Sequence, residues 1–279
     1  PRQSLPMEAG RSNGLWGKTM NKILIEQRDS KKTIGILLTF LALLLFSIYY
    51  LEISVLEMLM GLPNFVLFFF EKFIPANTEN LKQYIPSVID TLGYAVIATY
   101  LSSILAFIFG ILISEHTNKF KTVRVIVRGF VSILRNIPFI IWGSLLVYIF
   151  GLGGIVGVLA LILVTIGFLS KSYAESIDEI SGDKLEALRA NGASYFQILF
   201  HGVIPQFIPA WINWTLFSFE INVRASVVLG LVGAGGIGVL IDTNINLFKY
   251  GEALAIIAVI VIIILLTEFV TNSIRKRFV

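Results

Sequence analysis

From Ala253 to Thr271 the chain reads ALAIIAVIVIIILLTEFVT, a block with one charge in nineteen residues. About twenty apolar residues in a helix match the ~30 Å hydrocarbon core of a bilayer. Comparable blocks recur at Thr33–Leu51, Leu92–Ile113 and Ile155–Ser170, and the apolar residues are massed instead of alternating. Hydrophobic residues make up 56% of the chain and charged residues 14%, against roughly 45–50% apolar usage in soluble domains. The pattern excludes an ordinary soluble domain and predicts an all-α polytopic membrane protein embedded in a lipid bilayer.

Two further spans are expected. One runs through Arg135-Asn136-Ile137-Pro138 to Phe150. Its fifteen residues from Asn136 give roughly 22 Å of helix, so the helix is expected to reach back past Arg135. The other follows Pro205, contains Pro209, Trp211, Trp214, Glu220 and Arg224, and ends in the glycine run LGLVGAGGIG. A short polar loop is expected from there to Tyr250. Six transmembrane helices result. Between the first two, Pro63, Pro75 and Pro86 read as breaks, and NFVLFFFEKF, too short to cross, reads as an interfacial helix.

Orientation follows from the basic residues. Lys22–Lys32, the loop Glu115–Arg128 and the terminal Arg275-Lys276-Arg277 are the positive segments. Six alternating crossings put all three on one face, the cytoplasm, with both chain termini. The same parity places the polar segment at about 181–206 there too. Residues 1–32 are expected to form an N-terminal cytoplasmic segment, the first nineteen being a leader or an appended remnant with Met20 as a natural start, and 33–279 the transmembrane domain.

Several functions are excluded. The net charge of +4 is modest and gives no ground for nucleic-acid binding. With no cysteine, and His116 and His201 far apart, no metal site is expected. Gly233-Ala-Gly235-Gly236-Ile-Gly238 matches G-x-G-x-x-G, but it follows a membrane span instead of a strand, so close helix packing or an outer gate is the better reading. No phosphate-binding G-x-x-x-x-G-K-[ST] loop and no Ser/His/carboxylate grouping occurs, so an enzyme is not expected.

Asp183–Gln206, DKLEALRANGASYFQILFHGVIPQ, is polar and potentially helical between two apolar spans. Asp183 can cap a helix with Glu186 at its third position. Leu185, Leu188 and Ala193 can form an apolar face, and Asn191-Gly192 is a break between two short helices. Such an element suits a groove on a partner protein, or serves as an amphipathic connector on the bilayer. Glu220 and Arg224, four apart, share a helix face. At roughly 2.5–3.5 kcal/mol each in a helix centre, they call for mutual pairing, an interhelical ion pair or gate, or a water-filled substrate path.

The spacing Glu186-Ala187-Leu188, Gly192, Ile204-Pro205 resembles the cytoplasmic coupling loop of ABC-importer permease subunits, with Leu188 at the usual second alanine and Gly202 at the usual isoleucine. Arg135-Asn-Ile-Pro138, Lys171-Ser-Tyr-Ala-Glu175 and Phe219–Gly238 (FEINVRASVVLGLVGAGGIG) look like the phosphonate-type branch. The likeness covers roughly residues 85–277. It implies a type I importer half in the bacterial cytoplasmic (inner) membrane, a homodimer of this chain served by two ATP-binding subunits and an extracytoplasmic substrate-binding protein. Its substrate would be phosphonate, phosphite, hypophosphite or phosphate. This chain would bind no cofactor, with ATP and Mg on the partner subunits. The resemblance gives Glu186, Ala187 and Gly192 the ATPase contact; Leu188, Ala193 and Pro205 complete the coupling set. Arg135, Asn136, Glu220, Arg224, Gly233, Gly235 and Gly236 are candidates for the translocation path or gate. Alternatives are a permease for another solute such as methionine, a secondary transporter or channel independent of ATP, and a non-transporting scaffold.

Overall fold

The computed structural model describes residues 32–180 and 182–278, with the side chains of 182–185 outside that description. The expected leader, Met20 and most of the basic segment Lys22–Lys32 therefore lie outside the described residues. The described residues are helical, without strands. The chain divides into two compact units, residues 1–68 and 69–279.

In the first unit, α1 (Lys32–Tyr50) is an apolar helix of spanning length with none of its apolar window buried. Helix α2 (Val55–Lys72) begins here, and the unit boundary at residues 68 and 69 falls within its last two turns. Pro63 lies inside α2 and does not break it. A proline forfeits one rung of the ladder, which the flanking apolar turns outweigh.

The second unit carries α3 (Leu81–Ile113), α4 (Lys121–Asn136), α5 (Phe139–Phe150), α6 (Gly154–Asp178), α7 (Gly182–Ala190), α8 (Tyr195–Gln197), α9 (Ile204–Leu231), α10 (Ile237–Asn246) and α11 (Tyr250–Phe278). Pro86 sits inside α3, so only Pro75 falls between helices. The loop expected before Tyr250 is instead helix α10, because Ile237, Ile241 and Asn244 repeat at helical spacing and are buried. The loop expected at Glu115–Arg128 becomes helix from Lys121 onward.

Side-chain pairing gives the directions. Ser102 meets Ile162, Ser103 meets Tyr173 and Ser114 meets Asp178, so α3 and α6 run parallel. The α4–α5 pair therefore returns the chain between them. Thr99 meets Asn222 and Thr91 meets Ser226, so α9 runs antiparallel to α3. Glu220 meets Arg275 and Arg224 meets Glu268, so α11 runs antiparallel to α9. The second unit therefore makes five passes of alternating direction, and α1 in the first unit is a further helix of spanning length. Helices α1, α3, α6 and α11 have the length and hydropathy to cross a membrane, and α4 with α5 passes as a broken span. Helix α9 is about 42 Å long, and its polar residues keep its hydropathy lower.

The third span is not one straight helix reaching back past Arg135. Helices α4 and α5 meet at 86°. Pro138 drives Ile137 into extended backbone (φ −87°, ψ 119°) and ends α4 at Asn136.

Packing is closest between α3 and α6. Ala95, Ala98, Ser102, Ala106 and Gly110 line the buried face of α3 at three- and four-residue spacing. A Cβ at Gly110 would stand 3.0 Å from the Tyr173 Cβ. Small residues allow this approach, which is how helices gain contact where lipid supplies no hydrophobic drive.

Candidate functional site

The polar segment after α6 is a helix, a turn and a second helix. Helix α7 starts at Gly182, one residue before the expected cap, so Asp183 falls in its first turn; the side chains of Asp183 and Leu185 lie outside the described residues. The Ala193 N–H donates to the Leu188 carbonyl and the Gly192 N–H to the Arg189 carbonyl. With Gly192 at φ +77° this is a Schellman termination, in which a left-handed glycine closes the helix. Glu186, Ala187 and Gly192 are exposed, while Leu188 and Ala193 are half-buried. Leu188 and Ala193 are thus joined through the backbone bond that closes the helix, and Leu185, the third residue of the expected apolar face, lies outside the described side chains.

Ser194 then begins α8 with a capping box: its hydroxyl accepts from Gln197 N, and Gln197 accepts from Ser194 N at 2.7 Å. A π-turn at Ile198–Val203 joins α8 to α9, with Ile204 N–H donating to Leu199 five residues back. Pro205, in the first turn of α9, has no N–H for the His201 carbonyl, so the ladder widens before it. The exposed Tyr195 and Phe196 pack edge to face beside this turn. Sequence reading missed this aromatic pair; its signal was the Ser194–Gln197 box.

Asp178, at the end of α6, anchors the base of this element. Its Oδ1 accepts from Ser114 Oγ at 2.6 Å and from the backbone N–H of Glu115 at 2.8 Å and of His116 at 3.3 Å. One carboxylate thereby caps the turn after α3. Arg189 of α7 donates to the His116 carbonyl at 3.2 Å, joining α7 to the same turn. An aspartate near a helix C-terminus gives no local sequence signal for this role.

The charged residues of α9 do not pair with each other. Glu220 is buried and accepts from Arg275 at 2.6 Å and from the Thr271 hydroxyl. Arg224, half exposed, reaches Glu268 at 3.5 Å. Both partners lie on α11. Arg275, read as part of a positive flank, is instead the main partner of the buried carboxylate.

Between Glu220 and Arg224 lies Asn222, buried in a polar chain across three helices. It accepts from Thr165 of α6 at 2.9 Å and donates to Thr99 of α3 at 2.9 Å. Ser218, one turn earlier, is buried with no hydrogen-bond partner among the described residues. Both line a chamber of about 200 Å³ with Arg135, Phe139, Thr165 and Phe168. Asn136, at the α4 end, is exposed and does not line it.

Gly233, Gly235 and Gly236 form the tight turn between α9 and α10 at the opposite end. The Gly153 N–H donates to the Gly233 carbonyl, and the Ile237 N–H to Thr91 Oγ1 at 2.8 Å. A Cβ on Gly235 would stand 2.8 Å from the Gly154 Cα. The run is a closely packed junction of α3, α6, α9 and α10.

Among the described residues, no group of three or more His, Asp or Glu could hold a metal ion. Residues 106–279 match the family described as binding-protein-dependent transport system inner membrane component. The chain is similar to the phosphite transport system permease protein PtxC of Stutzerimonas stutzeri, with 32% identity over 79% of this chain and 80% of that protein. It is also 34% identical to the phosphate-import permease protein PhnE of Mycolicibacterium smegmatis, over 74% of this chain and 39% of that one. Among solved structures, an inward-facing methionine ABC transporter chain matches with TM-score 0.65 and 21% identity, over 73% of this chain and all of that chain. That likeness concerns the fold.

Proposed function

Because the chain belongs to the family of binding-protein-dependent transport system inner membrane components, we propose that it is the membrane-spanning half of an ATP-driven importer for a small phosphorus oxyanion: phosphite, phosphonate or phosphate. Two copies would enclose the path. Two separate ATP-hydrolysing subunits would dock on the cytoplasmic side, and an extracytoplasmic binding protein would deliver the ion. Both chain termini would be cytoplasmic, and ATP and Mg would be held by the partner subunits.

The observation that carries the reading is α7 and its glycine termination. A short helix with Glu186, Ala187 and Gly192 exposed is linked to the ends of α3 and α6 through Arg189, His116 and Asp178. In this reading a push on α7 would pass through that link to two packed helices. Such a linkage is what ATP-driven closure of a partner pair requires to turn the spans from inward- to outward-facing. The relatives that name phosphite and phosphate support the substrate class.

The test is uptake into liposomes holding the chain with its ATPase subunit and binding protein, using labelled phosphite, methylphosphonate, phosphate and methionine. ATP-dependent uptake of a phosphorus oxyanion is expected. Uptake without ATP would replace the reading with a secondary transporter. Uptake of methionine alone would keep the importer and discard the oxyanion.

A further inference from the structure

Arg135, the last residue but one of α4 before the 86° bend, is exposed, and among the described residues it has no hydrogen-bond or ion-pair partner. It borders two cavities. On one side is the chamber of about 200 Å³ between α5, α6 and α9. On the other is a vestibule of about 330 Å³ lined by Arg128, Ser132, Lys171, Glu175 and Asp178.

The position of Arg135 is rigid at the backbone. A Cβ on Gly167 of α6 would come within 2.7 Å of the Arg135 nitrogen, so only glycine there lets the α4 end seat against α6. Pro138 sets the bend immediately beyond it. The guanidinium therefore projects from a fixed corner shared by both spaces.

The two cavities differ in chemistry. The chamber wall is almost wholly apolar, interrupted by Thr165, Asn222 and Ser218. Thr165 and Asn222 bond to each other, whereas the Ser218 hydroxyl has no partner among the described residues. The vestibule carries three basic groups against two acidic ones, a net of +1. Lys171 pairs with Glu175 at 3.3 Å, and Asp178 is already satisfied by Ser114 and the backbone of Glu115. Arg128 and Arg135 remain for an anion.

We propose that Arg135 is an oxyanion-binding residue common to both cavities, holding a tetrahedral phosphorus oxyanion first in the chamber with Ser218 and then in the vestibule with Arg128. The inference rests on the importer reading and names the contact this chain itself makes with the transported ion. A planar guanidinium presents two parallel N–H donors to two oxygens of such an anion. Apolar walls strengthen that attraction in the chamber, and the more polar lining of the vestibule weakens it. A single cation serving both spaces spares the ion a step without a counter-charge. The phosphate of a lipid headgroup offers the same chemistry, so the test separates the two sources.

The permease in complex with its ATPase subunits is placed in nanodiscs of phosphatidylcholine alone, and binding of labelled inorganic phosphite is measured by equilibrium dialysis. Arg135→Gln is expected to weaken binding at least tenfold, and Ser218→Val several-fold. Arg135→Lys, which keeps the charge and loses the fork, should fall between Arg135→Gln and the parent. Lys82→Gln, a charge change outside both cavities, should bind as the parent does. Full binding-protein-stimulated ATPase activity in Arg135→Gln establishes that the variant is assembled; if it is not, Ser218→Val carries the test. Parent-like phosphite binding and uptake in both variants would overturn the site while leaving the importer intact. Loss of ATP-dependent oxyanion uptake in the parent itself would instead overturn the importer reading. No phosphite binding in phosphatidylcholine, with an Arg135-dependent preference for phosphatidylglycerol in mixed discs, would overturn the transported-ion site in favour of a headgroup.

Discussion

The carboxylate of Glu220 is held by Arg275, fifty-five residues later in the chain, at 2.6 Å. Glu220 lies sixteen residues into α9, yet it faces the last turn of α11. A charge that looks central in its own helix thus meets the basic end of a neighbouring one. The pair, with Thr271, fastens α11 to α9.

Removing one partner of a buried pair strands the other charge. Glu220→Gln and Arg275→Gln should each destabilise the protein by about 3 kcal/mol. The double variant should lose clearly less than the sum, as read by thermal unfolding in detergent. Glu268→Gln, which breaks the half-exposed Arg224 pair, should cost less than about 1 kcal/mol. Equal losses for the two pairs would contradict the difference in burial.

Gly192 and Gly235 both have positive φ, at +77° and +83°, but their surroundings differ. A Cβ at Gly192 meets nothing within 4 Å, whereas one at Gly235 meets Gly154 backbone. Gly192→Val should therefore add only backbone strain of about 1–2 kcal/mol, and Gly235→Val should prevent normal assembly. Under the importer reading, Gly192→Val should fold yet hydrolyse more ATP per ion taken up, because the new side chain projects from the docking surface. Coupled transport at the parent ratio would refute that role.

Asp178→Asn keeps the shape of the side chain and removes its charge. Charge-assisted bonds to Ser114 and Glu115 should weaken, at about 1.5–3 kcal/mol. Hydrogen exchange should rise at the Glu115 and His116 amides and hardly change at the α9–α10 turn. Unchanged exchange after α3 would show that the carboxylate is not the anchor.

Asn222→Leu removes the centre of the Thr99–Asn222–Thr165 chain. Interhelical hydrogen bonds in membranes contribute about 0.6–2 kcal/mol. The loss should be modest for stability, with the α3, α6 and α9 packing retained. Collapse of the fold would mean that the chain of hydroxyls, and not the small-residue packing, holds these helices.

The helices could be read from the chain because their signals are local. Apolar runs mark α1, α3, α6 and α11, and the glycine at position 192 marks the end of α7. The α10 helix and the sharp bend at Pro138 were less legible. The first was hidden by the polar residues Asp242, Asn244 and Asn246, and the second because proline predicts a break without predicting its angle. Asp178, Ser218 and Asn222 escaped notice because isolated polar residues acquire a role only from what packs against them.

The sequence by itself determined the membrane-spanning class, the alternation of spans and the polar helix–turn–helix, since each follows from hydropathy and backbone preference within one stretch. Only the tertiary structure decided that Glu220 pairs with Arg275 instead of Arg224, and that Arg135 stands between two cavities. Residues four apart on one helix share a face, but which facing group satisfies a desolvated charge depends on the helix packed against it. That choice is made by close packing of small residues between distant segments, which no local period encodes.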